Sequence, residues 1–221
     1  EFDEALQSAE KRKELSHPNL LEFYELIPNE KAMEVLQVLE YPNTDLFEAS
    51  EQLKYPAEQL RLLRDITGAL AYLESQGSSH GDVRPEYIHY SEKGKFLLVD
   101  RLADQSTLLE HQLNVLNEEN EIFTSPEVMR VLAGTSQRVE ASPAQVDLFS
   151  LGMTLTEVVF GEGALQVFYD RAKKTFREEA FAKFLDDLEA QYEEQENGKL
   201  GAFIARRLLA IDPSARRTAT E

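Results

Sequence analysis

The chain has 221 residues, 42% of them hydrophobic, which is enough for the packed core of one ordinary domain and too many for a disordered chain. Its 23 basic and 41 acidic residues leave a net charge of −18, a surface that repels nucleic-acid backbones and anionic lipid. Cysteine is absent, which excludes disulfides and thiolate metal sites.

Residues 3–15 read as a helix, with Leu6, Ala9 and Leu15 among many charges, and His17-Pro18 stops it. Two strand-like runs come next, Leu20–Leu26 and Met33–Leu39, divided by the turn-like Pro28-Asn29-Glu30. From Ala57 to Ser75 the apolar positions Leu60, Leu63, Ile66, Leu70 and Leu73 recur at helical spacing, and Gly77 ends the run. The stretch KFLLVD (95–100) is short and continuously apolar, the pattern of a buried strand.

Ser142-Pro143-Ala144-Gln145 supplies an N-cap, a proline at the first helical position and a capping-box Gln. The helix it opens is expected to run through Leu148, Leu151, Leu155 and Val158 to Gly161. Another amphipathic helix covers about 178–195, with Phe181, Phe184, Leu185, Leu188 and Tyr192 on one face. A last one covers 199–210, through Leu200, Phe203, Ile204 and Leu208. The acidic run at 193–197 reads as a solvated helix end, and no internal repeat or low-complexity linker is visible.

Six short motifs occur in one order: HPNLL (17–21), SHGDVRPEYIHY (79–90), VDRLAD (99–104), FTSPEVM (123–129), DLFSLGMTLTE (147–157) and DPSARRT (212–218). Each alone is weak. Together, at these spacings, they resemble the protein kinase family over essentially the whole chain. The HGD tripeptide also occurs in phosphotransferases of the same fold, but SPE and DPSAR favour the protein kinase branch. The resemblance implies an α+β fold with a mainly helical large lobe and a truncated small lobe of one helix and short strands. Residues 1–42 would be a remnant of the small lobe and hinge, the latter at Glu40-Tyr41-Pro42. Residues 43–221 would form the large lobe.

A kinase positions a carboxylate near the substrate hydroxyl, two metal sites and a lysine on the phosphates. By the resemblance, Asp82 stands at the catalytic carboxylate and Asp100 at the main metal-binding one. The asparagine expected for the second magnesium is Tyr87, whose phenol is a poor ligand for a hard octahedral cation. The Phe-Gly after the metal carboxylate is Arg101-Leu102, which removes backbone freedom and puts a guanidinium where an apolar side chain packs. The small-lobe helix glutamate falls at Ser8, with Glu4 and Glu10 near but on other faces. Gly81 replaces the basic residue that reads a phosphorylated activation segment, although Ser106, Thr107, Thr124 and Ser125 are available there. The Gly-rich phosphate loop and its lysine strand would lie before Glu1.

The resemblance also assigns structural roles. Glu127 and Arg216 match the family's buried ion pair, Asp147 the helix-start carboxylate that accepts bonds from the catalytic loop, and His80 that loop's packing histidine. Arg84 with Glu86 keeps the loop's charge pattern. His89 is expected to face out of a strand and His111 to lie at the surface.

The resulting expectation is a catalytically impaired kinase-like domain, a pseudokinase, in which Asp82 and Asp100 are vestigial. It would act through protein partners, within a larger assembly or a longer chain, as scaffold, structural subunit or allosteric regulator. No cofactor and no metal is expected. The alternative is a divergent Ser/Thr kinase using ATP and Mg, with Asp82 as base and Asp100 as sole metal ligand. No apolar run approaches the roughly 18 residues of a membrane span, and the charged opening Glu1–Glu14 lacks a signal-peptide pattern, so a cytoplasmic location without membrane insertion or nucleic-acid binding is expected.

Overall fold

The computed structural model describes residues 2–99, 121–160, 168–170, 172–173, 175–193 and 198–216. Helix α1 (Phe2–Glu14) ends with Lys11, Arg12 and Lys13 in its last turn, where cations complement the helix dipole. Arg12 then folds onto the chain leaving the helix, donating to the carbonyls of Leu15 (3.2 Å) and Leu21 (2.7 Å).

The hairpin of β1 (Phe23–Asn29) and β2 (Glu34–Leu39) is antiparallel, from Phe23 opposite Leu39 to Asn29 opposite Glu34. The reversal expected at Pro28-Asn29-Glu30 lies later: Pro28 and Asn29 belong to β1, and residues 30–33 turn, with Met33 in the left-handed region at φ 55°. Among the described residues β1 pairs with β2 alone, so Pro28 sits on an edge strand, where a missing donor is tolerated.

The HPNLL stretch bolts this front part to the rest. His17 stacks on Tyr72 with ring centroids 5.3 Å apart, and the Ser16 amide donates to the Tyr72 hydroxyl at 2.9 Å. Asn19 donates through Nδ2 to the Phe96 carbonyl (2.9 Å) and accepts from the Leu98 amide (2.8 Å). Leu20 and Leu21 are buried, and Leu20 makes an isolated bridge to Leu98.

Strands β3 (Thr44–Asp45), β4 (Ile88–Tyr90) and β5 (Phe96–Leu98) form a small antiparallel sheet, and all three side chains of β5 are buried. Helix α2 (Pro56–Ser75) packs against it. α2 starts on a proline and stops where Gly77, at φ 68°, lets the amides of Gly77 and Ser78 reach the Glu74 and Leu73 carbonyls. Its buried face runs through Leu62, Ile66, Leu70 and Leu73, whereas Leu60, expected in the core, is 49% exposed. Three leucines at 60, 62 and 63 cannot share one face, and the i, i+4 row through Leu62 and Ile66 wins.

Helix α3 (Pro126–Leu132) precedes α4 (Pro143–Phe160). The capping box opening α4 is reciprocal: the Gln145 amide donates to Ser142 Oγ (3.2 Å), and the Ser142 amide to Gln145 Oε1 (2.8 Å). Leu148, Leu151 and Leu155 are buried on it. Gly161, the expected stop, lies outside the described residues. The two-stranded β6 (Tyr169–Asp170) and β7 (Thr175–Phe176) lead into α5 (Glu178–Glu193). Phe181 of α5 sits among Phe149, Phe168 and Phe184, with its ring 5.0 Å from that of Phe168.

The helix expected over 199–210 is two pieces, α6 (Gly198–Phe203) and a π-helical turn at Ile204–Leu208. The wider turn rotates the end of the helix, and Leu208 and Leu209 are both buried there, whereas Phe203, which precedes the turn, is 42% exposed. A Cβ built on Gly152 of α4 would lie 2.9 Å from Leu208 Cβ and 2.7 Å from Leu209 Cδ2, so only glycine allows this approach. Among the described residues no helix is long and apolar enough to cross a membrane.

Candidate functional site

The site is a loop, 79–87, held from three sides. Asp147, in the second turn of α4 and buried, accepts from the amides of His80 (2.8 Å, Oδ2) and Gly81 (2.7 Å, Oδ1). Gly81 adopts φ 84°, a conformation that side chains disfavour, which suits the glycine found there. Thr154, two turns further along α4, donates through its hydroxyl to the Val83 carbonyl at 3.1 Å. His80 is buried between two partners: its Nδ1 accepts from the Asp82 amide (3.2 Å), so its Nε2 carries the hydrogen and donates to the Val99 carbonyl (2.8 Å).

Asp82 does not open freely onto a cleft. Arg84 Nε donates to its Oδ1 at 2.6 Å and Nη2 to its Oδ2 at 2.8 Å, a two-pronged contact in which side-chain exposure is 8% for Arg84 and 4% for Asp82. Such a fork is the strongest geometry a guanidinium and a carboxylate can adopt. Arg84 with Glu86, read from the sequence as the loop's charge pattern, is also present as a looser ion pair. Glu86 lies 3.8 Å from Arg84 and is half exposed, so water takes much of its charge. Burial works against the Arg84 charge, but hydrogen bonding and attraction to Asp82, with Glu86 adding, outweigh it and hold its pKa above the usual value.

Tyr87 ends a one-turn 3-10 helix, Pro85–Tyr87, and its backbone is tied to Arg84 and Val99. The Arg84 guanidinium lies 5.2 Å from the centre of its ring, and His80 meets the ring edge-on at 5.7 Å. Burial pushes the phenol's pKa up and the Asp82 charge pushes it further, more than Arg84 lowers it, so the group stays neutral. A neutral phenol packed between a guanidinium and an imidazole does not fit the second magnesium of a kinase site.

The second buried pair joins distant parts of the chain. Arg216 donates to Glu127 through Nη1 to Oε1 (2.5 Å) and Nη2 to Oε2 (3.1 Å), with exposures of 0% and 1%. Its Nε donates to the Ala210 carbonyl at 2.7 Å, and its guanidinium sits 4.9 Å from the Phe149 ring centre. One arginine thus ties α3, α4 and the C-terminal loop together.

Asp100, Arg101, Leu102, Ser106, Thr107 and His111 lie outside the described residues. Ser8 is exposed on α1, and Thr124 and Ser125 are buried. His89, expected to face outward, is half-buried, with its Nδ1 enclosed and unpartnered among the described residues. His80, Asp82, Arg84, Tyr87 and Asp147 are brought together in the loop, while Glu127 and Arg216 form a separate clamp. Sequence reasoning missed the Asp82–Arg84 fork, because a two-residue spacing in a loop carries no periodic signal.

The sequence profile of the protein kinase domain matches residues 3–221. This chain belongs to the protein kinase domain family. Among curated relatives, the serine/threonine-protein kinase TOS3 of Saccharomyces cerevisiae is 26% identical over 172 residues, 71% of this chain and 30% of that protein. The maternal embryonic leucine zipper kinase of Danio rerio is 36% identical over 96 residues, covering 41% of this chain and 14% of that protein. The chain spans less than a third of the length of these relatives. The solved structure of Rad53 in complex with AMP-PNP superposes on 99% of this chain and 53% of its own, with a TM-score of 0.67 and 18% identity. The kinase domain here has the kinase-like α+β fold: a mainly helical large lobe beside one helix and short strands of the small lobe.

Proposed function

We propose that this kinase domain is catalytically impaired, a pseudokinase that works by binding protein partners as a scaffold, structural subunit or allosteric regulator. The observation that carries the reading is the two-pronged hold of Arg84 on Asp82 beneath the Tyr87 ring. Kinase catalysis is positioning and electrostatic stabilisation, so it depends on charges that are free to act on substrate and metal. The negative charge that would orient a substrate hydroxyl is balanced within the loop. Tyr87 supplies no second-metal ligand. The contrast with the intact Glu127–Arg216 clamp supports a domain that keeps its architecture and has given up its chemistry.

In this reading residues 1–42 serve as small-lobe remnant and hinge and residues 43–221 as large lobe. The domain needs no cofactor, acts in the cytoplasm, and binds proteins rather than nucleic acid or membrane. A second reading is favoured by the names of relatives such as TOS3, a serine/threonine-protein kinase. It makes this chain a divergent Ser/Thr kinase with Asp82 as base and Asp100 as sole metal ligand for ATP and Mg.

A thermal-shift titration with ATP, with and without magnesium, separates the two, because a ligand that binds only the native state raises its stability. The pseudokinase reading expects no stabilisation that requires magnesium. A magnesium-dependent rise in melting temperature together with transfer of labelled phosphate to a generic protein substrate would replace it with the enzyme reading.

A further inference from the structure

A cleft of about 560 Å³ lies away from the catalytic loop, between the end of α1, the HPNLL stretch, Glu40 beyond β2, and the β4–β5 turn. Its walls are tied by hydrogen bonds from Arg12 to the Leu21 carbonyl, from Asn19 to the Phe96 carbonyl, and from the Leu98 amide to Asn19. The Glu40 amide adds a bond to the Glu22 carbonyl at 2.7 Å. Leu20, Leu21 and Leu97 line the cleft and are themselves almost fully buried, which makes an apolar floor.

Lys13, Lys93 and Lys95 also line it. All three are exposed. In a chain with 41 acidic residues against 23 basic ones, a cleft lined by three lysines and two glutamates carries a local charge balance opposite in sign to that of the whole chain. Glu22 and Glu40 line the cleft as well. They would repel a dense polyanion such as a polyphosphate, but leave room for carboxylates spaced along a chain.

We propose that this cleft is a docking groove for an extended acidic peptide segment of a partner protein, its apolar side chains on the leucine floor and its carboxylates on Lys13, Lys93 and Lys95. The groove gives the proposed binding role a place on the molecule and rests on that role only for its biological purpose. Peptide binding and nucleotide binding are read separately, so either proposal can fail alone.

The probe is a fluorescein-labelled peptide alternating glutamate and leucine, followed by fluorescence anisotropy with the full chain. The Lys93→Glu/Lys95→Glu variant changes two exposed side chains, so its melting temperature should match the parent. Peptide binding should fall roughly tenfold in the variant, the scale expected for two exposed charge contacts. It should also weaken with added salt and drop when serines replace the leucines. Absence of binding, or equal binding by parent and variant, overturns the proposal. So does equal affinity for tripolyphosphate or phosphatidylserine vesicles, which would mark a general anion surface instead of a peptide groove.

Discussion

Arg84 and Asp82 stand two residues apart in one loop and are joined by two hydrogen bonds of 2.6 and 2.8 Å, both side chains being buried. The Tyr87 ring lies against the same guanidinium. A carboxylate at the family's catalytic position is therefore part of the loop's own frame.

Arg84→Ala removes the two-pronged partner of a buried carboxylate. A loss of about 3 kcal/mol is expected from urea denaturation. Asp82→Asn keeps the shape and loses the charge-assisted fork, so it should destabilise less. If the domain is a binding module, partner binding per folded molecule should be unchanged in Asp82→Asn. A folded Asp82→Asn protein that still binds its partners but fails in its biological role would return the catalytic role to Asp82.

The two bidentate arginine pairs at Glu127–Arg216 and Glu189–Arg206 offer a direct comparison of burial. Arg216→Ala should cost roughly 3–5 kcal/mol, because Glu127 is left without its charge partner in the interior. Arg206→Ala, at a pair whose arginine is 71% exposed, should cost no more than about 1 kcal/mol. Denaturant midpoints for both variants check this, and similar losses would mean that burial does not set the value of the clamp.

Gly152→Ala tests the close approach of α4 to the π-helical turn. The added methyl meets Leu208 Cβ at 2.9 Å, an atom next to the backbone that cannot swing aside. A destabilisation of about 1–3 kcal/mol is expected by calorimetry, the usual cost of overpacking a core. A neutral result would show that the turn moves freely away from α4.

His17 makes stability depend on pH. Burial holds its pKa below the ordinary histidine value, Asp65 raises it in part, and Lys95 lowers it further. The unfolded chain therefore takes up this proton first as pH falls, and the contribution works against folding below the unfolded pKa. Between about pH 7.5 and 5.5, either side of the ordinary value, the urea midpoint should decline. His17→Gln should flatten that slope. An undiminished slope in the variant would assign the titration to another of the four histidines.

Features written in local bonds were legible in the sequence alone. The capping box at Ser142 and Gln145, the glycine stop at Gly77 and the first helix before Pro18 are each decided within a few residues, and the structure has all three. The ordered motifs also carried the kinase family and its fold, because their spacing is a property of the chain alone. The Glu127–Arg216 partnership, 89 positions apart, was legible only through that resemblance.

Where neighbours in space compete for one place, the outcome came only with folding. Pro28 became strand because its outer edge is unpaired among the described residues, Leu60 lost its core place to Leu62, and a π-helical turn follows Phe203 where Leu208 and Leu209 are buried. Arg84 had two acidic neighbours in sequence, Asp82 and Glu86, at equal spacing on either side. Only the packed loop buries one and leaves the other half in water, and desolvation makes the buried carboxylate the stronger partner.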